Sequence, residues 1–68
     1  MIEVFKTDVA ETGHAERLVK LLQAQFGGKI NFDLQDCDRI LRIDRPGIAA
    51  QAVVELMNAE GFQCLVLE

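Results

Sequence analysis

The chain has 68 residues, of which 7 are basic and 11 acidic, giving a net charge of −4, and half of its residues are hydrophobic. That length holds one domain, spanning 1–68, with a thin core, because such domains bury only roughly 60% of their unfolded surface. The acid excess leaves no clustered Lys and Arg for phosphate, so nucleic acid is not an expected partner, and no apolar run nears the ~20 residues of a membrane span.

Ile2-Glu3-Val4-Phe5-Lys6-Thr7 is β-branched and aromatic and reads as a strand. With Glu3 inside it, this segment does not resemble a secretory leader, and a cytoplasmic location is expected. Asp8 to Glu11 is a turn. From Thr12 the period changes: Ala15, Leu18, Val19, Leu22 and Phe26 form one apolar helix face, with Glu16, Arg17, Lys20 and Gln23 opposite. Thr12 is the expected N-cap. Asp8 with Glu11 is a competing capping box that would place Gly13 inside the helix. Gly27-Gly28 ends the helix.

Ile30-Asn31-Phe32-Asp33-Leu34 alternates as a strand, Gln35-Asp36-Cys37-Asp38 is a polar turn, and Arg39-Ile40-Leu41-Arg42-Ile43 returns as the second arm of a hairpin. Asp44-Arg45-Pro46-Gly47 breaks that strand, with Pro46 expected near the first turn of a second helix. This helix turns Ala49, Ala52, Val53 and Leu56 inward and ends before Gly61. Phe62-Gln63-Cys64-Leu65-Val66-Leu67 is the last strand.

Two one-sided helices in the order βαββαβ are buried most simply on one face of a four-stranded antiparallel sheet, the ferredoxin-like α+β arrangement. Strand 1 would lie between strands 3 and 4, with strand 2 at an edge. Three connections then share one end of the sheet, which gathers Glu11, His14, Asp36, Cys37, Asp38 and Cys64 there.

The short first strand, the Thr7-to-His14 loop, the helix with Leu18-x-x-x-Leu22, the hairpin and a second helix ending in Glu60-Gly61-Phe62 resemble the heavy-metal-associated (HMA) domain. That family includes copper chaperones, mercury-binding proteins and the amino-terminal domains of metal ATPases. The resemblance covers nearly the whole chain and implies a metal site just before helix 1. The family's Met-x-Cys-x-x-Cys motif is absent here: Val9 falls at the methionine, Glu11 at the first cysteine and His14 at the second. Thiolates suit soft Cu(I), whereas Glu11 and His14 offer a hard oxygen and a borderline nitrogen, better matched to Zn²⁺ or Cu²⁺. Away from any metal, the same glutamate stabilises a helix dipole and the histidine is a solvated first-turn side chain.

Cys37 and Cys64 are too few for the disulfide framework of a secreted domain and read as unpaired, reduced thiols. Cys37, between two aspartates and in phase with Leu41, is expected to be partly buried, and Cys64 to share a face with Phe62 and Val66. With no serine or tyrosine and a single histidine, the usual nucleophile–base pairs cannot be assembled, so neither catalysis nor a cofactor is expected. The leading expectation is an HMA-like interaction module. The alternative is a metal trafficking or sensing protein using Glu11, His14 and one of the cysteines. A small-ligand regulatory module also fits the fold. Alternation further places Phe5, Ile40, Leu65 and Leu67 on the sheet face away from the helices, as one apolar patch for a second copy or a partner protein.

Overall fold

The computed structural model describes residues 2–67. Its elements follow as β1 (Ile2–Thr7), α1 (Thr12–Gln25), β2 (Lys29–Asp33), β3 (Ile40–Asp44), α2 (Ala50–Ala59) and β4 (Cys64–Leu67). The strands form one antiparallel α+β sheet in the order β2-β3-β1-β4, so β1 lies inside and β2 and β4 are the edges. No helix among the described residues is long and apolar enough to cross a membrane.

One apolar cluster fixes which face is covered. Phe5, Ile30, Leu41, Ile43 and Cys64 meet Ala15, Leu18 and Leu22 of α1 and Val53 and Met57 of α2. The register pairs Phe5 with Leu41 and Ile30 with Ile43, so these side chains share one side of the pleat. Both helices therefore cover the same face. Each fully buried side chain of this size contributes about 1.5–3 kcal/mol, and the core is built from few of them.

Phe5 is a correction to the sequence reading. It is 0% exposed in the core, not on the open face. The apolar positions Ile2, Val4 and Phe5 do not share one phase, and the structure buries Phe5 together with a polar residue, Thr7. Thr7 can be buried because its hydroxyl is satisfied, as described below.

The helix ends also differ from expectation. Glu11, not Thr12, occupies the N-cap of α1, in extended conformation with no side-chain cap bond, and Gly13 lies inside the helix. The Glu11 carbonyl accepts the Ala15 N–H at 3.0 Å and so opens the first turn. Pro46 sits ahead of α2, in a turn with Gly47 at φ +70°, and the helix starts only after the Ala49 cap. Ala49 is exposed, whereas Met57 is fully buried.

Gly28 is the most confined of the glycines. It has φ +84°, and a Cβ there would lie 2.8 Å from the Asp44 carbonyl oxygen and 2.9 Å from Arg45 Cβ. The α1–β2 link passes against the end of β3, and glycine alone allows it.

Candidate functional site

The three connections expected at one end of the sheet do meet there, through Thr7 and Asp8. Its N–H donates to the Asp38 carbonyl at 3.0 Å and its hydroxyl to the Arg39 carbonyl at 2.6 Å, while Oγ1 accepts the Val9 N–H at 3.2 Å. This ties the β1–α1 loop to the hairpin turn. Asp8 Oδ1 accepts the Gln63 N–H at 2.8 Å and adds the α2–β4 connection. On the flank, Arg17 bonds Glu60 at 2.8 Å, joining the two helices.

Glu11 and His14 come together, with Oε2 and Nδ1 3.4 Å apart and both side chains exposed. The imidazole packs edge-on against Phe62, ring centroids 5.5 Å apart. Neither thiol completes a three-ligand group with them among the described residues. The group that does form is Asp36, Cys37 and Asp38, whose ligand atoms lie within 4.8 Å of one another. Its carboxylates already have structural duties. Asp36 Oδ1 accepts the Asp38 N–H at 2.9 Å, and Asp38 lies 3.6 Å from Lys6 Nζ.

Both cysteines are free. Cys37 is exposed, not partly buried as its phase with Leu41 suggests, because Arg39 at φ +48° interrupts the alternation before β3 begins. The Arg39 N–H bonds the Asp36 carbonyl, and its guanidinium donates to the Leu34 carbonyl, which holds the turn in this form. Cys64 is 2% exposed, opposite Thr7, and burial pushes its thiol from 9.0 up to about 11. It stays protonated at neutral pH and is a poor metal ligand.

The open face of the sheet has two unlike halves. Val4 pairs with Leu67 and Lys6 with Leu65, so Ile2, Val4, Leu65 and Leu67 share the open side of β1 and β4. Ile2 and Leu65 are 59% and 61% exposed, and Leu67 is exposed as well. The other half, on β2 and β3, presents Lys29, Asn31, Asp33, Arg42 and Asp44, with Arg42 and Asp33 3.9 Å apart. Ile40 lies between the halves but is only 6% exposed, flanked by Lys6 and Asp33. The patch thus keeps Leu65 and Leu67, loses Phe5 to the core and Ile40 to its neighbours, and gains Ile2 and Val4. The signal for the last two was their own two-residue spacing.

No family model, no curated protein and no solved structure matches the chain.

Proposed function

We propose that the chain is a non-enzymatic interaction module of the ferredoxin-like βαββαβ kind. It is similar to an HMA domain whose thiolate pair is replaced by Glu11 and His14, and it works in a reducing, cytoplasmic setting. The observation that carries this reading is the open face, where Ile2, Val4, Leu65 and Leu67 form a contiguous apolar surface on neighbouring strands. Scattered exposed apolar residues mean little, but a contiguous patch with a polar border is the usual mark of a binding surface. Lys6, Arg42 and Asp44 border it, so the partner that fits is a protein with an apolar surface ringed by charges of both signs. The element order is the one that the HMA-like resemblance implies. Zn²⁺ or Cu²⁺ binding through Glu11 and His14 would need further ligands from solvent or from a partner, since a structural site takes four.

Photocrosslinking from position 65 tests the reading. A benzophenone side chain in place of Leu65 should give a discrete adduct in cells, and Leu67→Glu should abolish it. The same group in place of Gln51, exposed on α2, should give none. Equal adducts from both positions would overturn the proposal.

A further inference from the structure

Among the described residues, no strand pairs with the outer side of the edge strand β2. Beside it, a groove of about 490 Å³ opens between the strand and α1, floored by Val19, Ile30, Phe32 and Leu34. Natural proteins usually protect such an edge with charge, a bulge or a cover. Here the strand is Lys29-Ile30-Asn31-Phe32-Asp33, and its charge pattern is complementary to itself when reversed. Turned about Asn31, Lys29 faces Asp33 of the reversed copy, Ile30 faces Phe32, and Asn31 faces Asn31.

We propose that the chain forms a two-fold dimer by antiparallel pairing of β2 with β2 of a second copy, in the register centred on Asn31. A two-fold axis normal to the sheet keeps both pairs of helices on one side and makes one continuous sheet through both copies. It also brings the two grooves together, so that Ile30 and Phe32 of each copy close over an apolar floor that is open in the single chain. On the opposite side, Lys29, Asn31 and Asp33 form a cross-strand ladder with a Lys–Asp pair at each end. Lys29 makes no ion pair among the described residues, so this partner is its first.

The charges also select the register. Sliding one copy by two residues sets Lys29 against Asn31 and Asp33 against Gly27, or Asp33 against Asn31 and Lys29 against Gln35. A one-residue slip puts a core side chain opposite a solvent side chain. The Asn31-centred register alone pairs unlike charges at both ends, and directly opposed unlike charges stabilise a ladder where like charges weaken it. This interface lies at the β2 edge and does not depend on the β1–β4 patch proposed as the partner-binding surface.

Sedimentation equilibrium with charge exchange tests it. The wild type should show a concentration-dependent monomer–dimer equilibrium. Lys29→Asp leaves two acids facing two acids, and Asp33→Lys two bases facing two bases, so each alone should raise the dimer dissociation constant about tenfold or more. An equimolar mixture of the two variants should associate again, and the double variant Lys29→Asp/Asp33→Lys should dimerise like the wild type. Circular dichroism of each variant separates misfolding from loss of contact, and recovery on mixing shows that both single variants are folded. A wild type that stays monomeric at millimolar concentration overturns the proposal. So does a dimer indifferent to both substitutions, or one broken by Leu65→Glu and not by them.

Discussion

Thr7 and Cys64 face each other across β1 and β4, and both are buried for reasons their polarity conceals. The Thr7 hydroxyl is both donor and acceptor, so a group that would otherwise cost about 1–3 kcal/mol to bury unpaired becomes a fastening for two loops. Cys64 contributes in the opposite way, by staying neutral. Its folded-state value is raised to about 11 from 9.0, so the folded chain holds the proton over a range where the unfolded chain releases it. The stability associated with that proton is complete below pH 9.0 and is lost as the pH rises toward about 11. Each unit of that window removes about 1.4 kcal/mol at most. Urea midpoints at pH 8 and pH 10.5 should therefore fall further for the wild type than for Cys64→Ala. The alanine variant should start lower, because it leaves a small cavity, and decline less steeply. Parallel declines would show that the thiol titrates alike in both states.

Among the elements, α1 was the most legible in the sequence. Ala15, Leu18 and Leu22 repeat at helical spacing between charged positions, and these residues are buried. α2 has many apolar residues, and the face read as inward, Ala49, Ala52, Val53 and Leu56, was right in full only at Val53; Ala49 is exposed, and the buried Met57 went unrecognised beside Leu56. β1 misled because a two-residue rhythm begun at Ile2 and Val4 points outward, while the inward rhythm runs through Phe5 and Thr7. Cys37 misled because Arg39 takes a left-handed conformation that no local pattern announced. The candidate site fared likewise: the meeting of three loops followed from element order, whereas the exposure of each member depended on turn geometry. The α1–β2 link offers a check at this scale. Gly27 and Gly28 both have positive φ, but only at Gly28 does an added Cβ meet backbone. Gly27→Ala should cost about 1–2 kcal/mol, the ordinary penalty of a left-handed non-glycine residue. Gly28→Ala should cost clearly more in the same denaturant titration. Equal losses would mean that the link relaxes away from Asp44 at no expense.

For the molecule as a whole, the distribution of sulfur argues against the chemistry typical of HMA domains. One thiol is sealed under the helices and the other stands in an exposed acidic turn, so no pair of thiolates converges on a soft ion. In competition with a coloured Cu(I) chelator the protein should withdraw no metal, and removal of one equivalent would restore the trafficking alternative. The sheet order has a different kind of consequence, one that belongs to synthesis. β1 is translated before both of its neighbours, β3 and β4, which are separated from it by one helix and by two. Pairing Val4 with Leu67 closes a loop of nearly the whole chain, and contacts so distant in sequence are slow to form. On the ribosome, the Phe5 strand must wait with one flank bare until Cys64–Leu67 have left the exit tunnel. Helix α1 and the hairpin can take shape meanwhile, but the core cannot close around them. Until β4 emerges, the nascent chain is therefore a substrate for whatever binds exposed β-strands, and the domain closes only afterwards.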